Sequence, residues 1–321
     1  MKKFLIKISG FLLFVLSIVF MLILLQSKLI KFLPNDFKRH TVIAEVLNNK
    51  SIQPDLIVFG DSRAMFGINT KFLEEKLTDK PICINLTSVG QNMQESVYLF
   101  PDIPSSVSLI IHCLDFTTFA NNQTTINDAK ALSLLLNGFE LTHELESLVD
   151  PHPFFYRSKL TNLYDSRTFL RSSIHVKLRD LLDKEEFITE NYYDLKHPYI
   201  YKEERHPNYP NKYKPKKLDK LPLSKKKIEL AKRLHINFAK KNVDYIIVLM
   251  PLNPDVNEFK KIDMTYLKKL RKAVPEIKII DFSTNLKADF FYDGIHPNRI
   301  GAEVLSKNLA DSLFNSSNTK F

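Results

Sequence analysis

The sequence predicts an α/β domain, a parallel sheet of five strands with helices on both faces, preceded by one N-terminal transmembrane helix. Three observations carry this. Five short apolar runs, Leu56 to Phe59, Ile82 to Leu86, Leu109 to Cys113, Tyr245 to Met250 and Ile277 to Ile280, alternate with segments of helical periodicity. Apart from Asn85 and His112 the runs are apolar at consecutive positions rather than at every second one, as suits strands covered on both sides. From Ile8 to Leu25 no residue is charged, a run of 18, near the lower end of the roughly 17 to 25 residues that cross a bilayer as a helix.

The N-terminal run exceeds the roughly 7 to 15 apolar residues of a signal peptide. It ends in Leu24-Leu25-Gln26-Ser27-Lys28 without an Ala-x-Ala cleavage pattern, so an uncleaved anchor is expected. Lys2, Lys3 and Lys7 precede the span while Lys28, Lys31, Lys38 and Arg39 follow it, and this count leaves orientation open. Because single N-terminal anchors usually keep the N-terminus inside, the body is expected outside the cytoplasmic membrane. Residues 1–34 are read as anchor and juxtamembrane segment, and 35–321 as the α/β domain.

Helical patterns cover Lys71 to Leu77, Met93 to Phe100, Ser224 to Lys241, Met264 to Ala273 and Arg299 to Phe314, with Ser224 and Asp263 as N-caps. After Asp115 the alternation lapses. Residues 116 to 223 offer helical stretches at Asp128 to Asn137 and Arg157 to Leu182 but no clear strand, and read as an insertion at the C-terminal edge of the third strand. Open α/β sheets bind ligands at that edge.

Hydrophobic residues make up 44% of the 321 and charged residues 26%, a globular balance with a net charge of +10. The excess is concentrated. Between Lys196 and Lys227 there are eleven Lys and Arg against three acids, interleaved with five prolines and four tyrosines. Such a segment is either a solvated loop or a cationic, aromatic surface for an anionic glycan or lipid head group. The expected compartment argues against nucleic acid. Cys83 and Cys113 both fall in apolar runs and are expected as buried thiols rather than a disulfide.

The chemistry is expected where the first strand breaks. In DLIVFGDSRAMFGIN, residues 55 to 69, the apolar run stops at Gly60 and delivers Asp61, Ser62 and Arg63 into a helix. Near the other terminus, FFYDGIHPNRIG places Asp293 three residues before His296, ahead of an amphipathic helix. An acid so spaced can fold back onto the imidazole and fix its tautomer, leaving the other nitrogen free as a base. Ser62, a poor nucleophile alone, would then have a base to take its proton. Asp61 is read as shaping the turn, and Arg63 either as pairing with an acid or as binding an anionic substrate group. His112 is read as a satisfied core residue and Asp115 as a loop cap. No metal-ligand spacing and no nucleotide-binding glycine pattern occurs, so neither metal nor cofactor is expected.

Together, Gly60-Asp61-Ser62-Arg63 and Asp293-Gly294-Ile295-His296-Pro297-Asn298 resemble the first and last blocks of the SGNH (GDSL-like) hydrolase superfamily. That resemblance implies a three-layer α/β/α fold and a triad of Ser62, Asp293 and His296. It also implies an oxyanion hole formed by the N–H groups of Ser62 and of Gly90, in the second block Asn85 to Gln94. The third block departs from the family, since Leu114 stands where an Asn usually donates to the oxyanion. Asn92 is the candidate substitute.

One span followed by such a domain resembles, in layout, the anchored proteins that work beside membrane-bound O-acyltransferases on exported polysaccharides. The resemblance implies an esterase or O-acyltransferase acting on a cell-envelope glycan. A lipase-like esterase and a catalytically silent glycan-binding subunit remain alternatives.

Overall fold

The structure, a computed structural model, describes residues 2–32, 38–120, 126–140, 142–143, 146, 149–150, 152–156, 222–256 and 265–317, and single positions 171, 178, 194 and 209. The predicted helix Arg157 to Leu182, most of the basic segment and the Asp263 cap therefore lie outside the described residues.

Five strands, β1 (Leu56–Gly60), β2 (Cys83–Asn85), β3 (Leu109–Leu114), β4 (Asp244–Leu249) and β5 (Lys278–Asp281), form one all-parallel sheet in the order β2-β1-β3-β4-β5. Side chains alternate between two cores. Ile57, Phe59, Ile110, Ile247 and Leu249 enter one, and Leu56, Val58, Ile111, Val248 and Ile280 the other.

The helices divide accordingly. On the first face lie α2 (Lys38–Asn48), α5 (Met93–Val97), α6 (Asp128–Leu136), α7 (Lys225–Lys240) and α8 (Thr265–Ala273), contributing Ile43, Val97, Leu134, Leu234 and Leu270. On the second lie α3 (Ser62–Gly67), α4 (Thr70–Lys76) and α9 (Arg299–Ser317), contributing Ala64, Leu73 and Leu305. The result is three layers, as expected. β1 has β2 on one side and β3 on the other, so the strand order reverses at β1, the point at which open α/β sheets form a crevice outside their strands' C-terminal ends.

Helix α1 (Lys2–Phe32) contains a 20-residue stretch, Lys3–Leu22, long and apolar enough to cross a membrane, and none of that stretch is buried in the protein. Helix α2 is an addition to the expected elements. It begins with buried Arg39, His40 and Thr41, polar side chains that hide an inward-facing turn from any reading based on apolar periodicity. Both cysteines are free and buried. They sit on β2 and β3 with β1 between them, and Cys83 lies level with Leu56 but Cys113 with Gly60, so two strand spacings and four residues of register put them roughly 16 Å apart, beyond the roughly 7 Å a bridge tolerates.

Candidate active site

At Gly60 the backbone takes φ +153°, and a Cβ there would stand 2.7 Å from both the Ala64 Cβ and the Cys113 carbonyl oxygen. Glycine alone meets both demands, which lets the chain turn from β1 straight into α3. Asp61 caps that helix, its Oδ1 accepting from the Arg63 N–H at 2.9 Å, so it shapes the turn as expected. Ser62 becomes the first residue of α3, where backbone N–H groups have no intrahelical partner.

The segment 290–298 closes on itself. The Tyr292 N–H donates to the His296 carbonyl at 2.8 Å and the Asn298 N–H to the Phe290 carbonyl at 2.9 Å. Within this loop Asp293 Oδ1 accepts from the N–H groups of Ile295 and His296, both at 2.8 Å, and Oδ2 meets His296 Nδ1 at 2.8 Å. The other ring nitrogen, Nε2, lies 2.8 Å from Ser62 Oγ. Ser62, His296 and Asp293 are thus one continuous hydrogen-bonded chain, assembled from residues 234 positions apart.

Supports on both sides hold it. The Phe66 ring packs 4.7 Å from the imidazole. Ser306 of α9 accepts from the Asn69 N–H at 2.9 Å and donates to the Gly67 carbonyl at 3.3 Å, which ties the helix after His296 to the helix that begins with Ser62.

Burial pushes the Asp293 carboxyl up, but the hydrogen bond and charge of His296, with the two loop N–H groups, outweigh it and hold the group at about 2. An ionised carboxylate only accepts, so His296 Nδ1 carries the proton and Nε2 is left to accept from the serine hydroxyl. The arrangement can therefore move a proton from Ser62 to His296 without rotating the ring.

The loop after β2 is stapled to the serine turn. The Ser88 N–H donates to the Gly60 carbonyl at 3.1 Å, while Gln91 Oε1 accepts from the Gly60 N–H at 2.6 Å. Gly90 lies between them at φ +61° and is exposed. Asn92 caps α5, its Oδ1 accepting from the Glu95 N–H at 2.9 Å, so Nδ2 is the part of its side chain left as a donor.

Leu114 is buried in the first core and turns no polar group to the site. Next to it, Asp115 caps its own loop through Thr117 and pairs with Arg63, which also has Asp61 at 3.8 Å. Burial raises the Asp115 carboxyl, and the Arg63 charge and the Thr117 bonds lower it further than that. Of the two roles open to Arg63, the structure places this buried side chain in the ion pair. His112 is a satisfied core residue, bonded to Tyr245 Oη at 2.8 Å and Ser96 Oγ at 3.1 Å.

Two supports escaped the sequence reading. Gln91, five per cent exposed, is one. Asn253 is the other: its Nδ2 donates to the Asp293 carbonyl at 2.9 Å and to Tyr209 Oη at 3.1 Å, and Tyr209 in turn reaches the Ala288 carbonyl at 3.1 Å. An Asn three residues after the apolar run of β4, in Pro251-Leu252-Asn253, was the signal available. Tyr209, a residue of the basic Tyr/Pro stretch, is thereby docked on the loop that carries the acid. Among the described residues no group of His, Cys, Asp or Glu is arranged to hold a metal ion.

No family model matches the chain, and no curated protein matches it. Among solved structures it is similar to a protein from Streptococcus pneumonia assigned provisionally as a platelet activating factor, with 10% identity and a TM-score of 0.42 over 86% of this chain and 91% of that one. That similarity is too distant to bear on function.

Proposed function

We propose that this protein is a membrane-anchored serine acyl-esterase or O-acyltransferase whose α/β domain works outside the cytoplasmic membrane on a cell-envelope polysaccharide. The observation that carries the reading is the unbroken chain Ser62 Oγ, His296, Asp293, with 2.8 Å at each link. His296 Nε2 takes the hydroxyl proton as Ser62 Oγ bonds to the acyl carbon, whose carbonyl oxygen becomes an oxyanion. When the tetrahedral species collapses, the bond to the donor's alcohol breaks and that oxygen receives the proton from His296. An incoming hydroxyl then repeats the sequence in reverse and frees the serine. Water gives hydrolysis, and a sugar hydroxyl gives transfer.

The oxyanion donors we assign are the N–H groups of Ser62 and Gly90 and the Nδ2 of Asn92, which replace the donor lost at Leu114. Support comes from the place of Ser62 at a helix start and from the staples at Gly60, which bring the second loop against that start. The anchored, extracytoplasmic placement rests on α1 and on the usual orientation of single N-terminal spans. An anionic acceptor, and a membrane-bound O-acyltransferase as acyl supplier, fit the basic stretch and the anchor, and both are part of the proposal.

The test is labelling of the full-length chain with a fluorophosphonate, comparing wild type with Ser62→Ala. Labelling that disappears in the variant supports the reading, and a folded wild type that takes no label overturns it in favour of a silent binding subunit.

A further inference from the structure

Helix α2 follows the span α1 after only five residues, yet its first turn is buried beneath the second loop. Arg39 donates from Nε to the Thr87 carbonyl at 2.9 Å and from a terminal nitrogen to the Asn85 carbonyl. Its other terminal nitrogen donates to the Asp194 carbonyl at 2.7 Å. Asn85 is the last residue of β2, and Thr87 lies at the start of the loop that leads to Gly90.

His40 holds the other end. Its Nε2 meets Glu95 Oε1 at 2.8 Å and its Nδ1 meets Ser133 Oγ at 2.8 Å. Glu95 lies in α5, the helix capped by Asn92, and it also accepts from Ser88 Oγ at 2.6 Å and pairs with Lys130. The loop 86–92 is therefore gripped at Asn85 and Thr87 by Arg39, and at Ser88 and α5 through Glu95 by His40. Gly90 lies between the two grips. A carbonyl held by a guanidinium fork fixes the peptide plane it belongs to, and the direction of each following N–H depends on the planes before it.

We infer that Arg39 and His40 are positioning residues that set the oxyanion loop. The juxtamembrane helix is then a working part of the active site and more than a spacer between anchor and domain. The inference rests on the reading of Ser62 as nucleophile and the Gly90 N–H as oxyanion donor. It carries a geometric corollary. Six residue steps separate Phe32 from Lys38, so the helix that holds the loop starts within about 22 Å of the end of α1, and the ten helical residues from Leu22 to Phe32 add about 15 Å, which tethers the site near the bilayer.

The experiment is fluorophosphonate labelling kinetics on the full-length chain in detergent, with the maximal rate and the half-saturating probe concentration measured separately, and thermal unfolding recorded for each variant. Arg39→Lys keeps the charge and loses the fork. His40→Ala removes the bond to Glu95, and His40→Gln can restore it. Leu270→Ala, a core truncation remote from the loop, shows what lost stability alone does.

A fall of about tenfold or more in maximal rate for Arg39→Lys and His40→Ala, with half-saturation unchanged, recovery in His40→Gln, and wild-type kinetics in Leu270→Ala would support the inference. A folded Arg39→Lys protein that labels at the wild-type rate, together with His40→Ala no slower than Leu270→Ala, overturns it while leaving the serine reading intact. If His40→Ala does not fold, Arg39→Lys decides alone by the same split. A folded wild type that takes no label overturns the serine reading and this inference with it.

Discussion

Two sets of serine, histidine and carboxylate stand out among the described residues, Ser62-His296-Asp293 at the C-terminal edge of the sheet and Ser133-His40-Glu95 in the interior. In both, one ring nitrogen meets a serine Oγ and the other a carboxylate oxygen, at 2.8 Å in every case. In both, the carboxyl is held at about 2. For Asp293 the His296 contacts outweigh burial, and for Glu95 the Lys130 charge and the His40 hydrogen bond do. The surroundings differ.

Ser62 and His296 are partly exposed, whereas Ser133, His40 and Glu95 are all at most 2% exposed. Ser62 opens a helix, where N–H groups are unspent. Ser133 is the sixth of the nine residues of α6, where N–H groups in the helix interior are already bonded. Glu95 is further satisfied by Lys130 and Ser88. What separates a candidate nucleophile from a structural network is therefore access and spare donors, not the spacing of three side chains.

The largest expected difference is in reactivity. Ser62→Ala and His296→Ala should abolish labelling and any acyl-ester turnover, a loss of at least about 1000-fold, while Ser133→Ala should leave both within about twofold. Loss of labelling in Ser133→Ala would erase the distinction. Asp293→Asn should lower turnover by roughly 10,000-fold, because the amide favours the wrong imidazole tautomer. Kinetics on a folded variant check this.

In stability the ranking should reverse. Glu95→Ala strands Lys130 in the interior and is expected to cost about 3 to 5 kcal/mol, while Asp293→Ala, at the mouth of the site, should cost less. Urea unfolding of the two variants compares them directly.

Acid should sharpen the same contrast. Both carboxyls are depressed in the folded protein, so their stabilisation is complete above the unfolded values, near 4.5 for Glu95 and 3.8 for Asp293, and is lost as pH falls toward about 2. Stability measured between pH 5 and pH 2 should fall less steeply in Glu95→Gln than in wild type. The smallest effect is expected at Tyr209→Phe, which removes a hydroxyl bonded to Asn253 and Ala288 and should cost about 0.5 to 1.5 kcal/mol, visible as a small drop in the thermal midpoint.

Much of this arrangement was legible in the residues. The five apolar runs coincide with β1 to β5 to within about a residue at most ends, because strands buried on both faces are apolar at most consecutive positions. Ser224 caps α7 through its Oγ as its residue type suggests, accepting from the Lys227 N–H. Ser62, Asp293 and His296 stood out because each follows a strand run or precedes a helix in a short polar loop. The fork of Arg39, the grip of His40 on Glu95 and the link from Asn253 to Asp293 did not stand out. They are contacts between residues 40 to 55 positions apart that read, one at a time, as solvated.

By itself the sequence determined the α/β class, the apolar span and the residues able to move a proton, since these follow from local pattern and side-chain chemistry. Only the tertiary structure decided that His296 reaches Ser62, that Arg63 is occupied by Asp115, and that one Ser-His-carboxylate set faces the crevice while its counterpart is sealed. Those outcomes depend on strand order and on which face each helix covers, and such long-range choices leave no periodic trace along the chain.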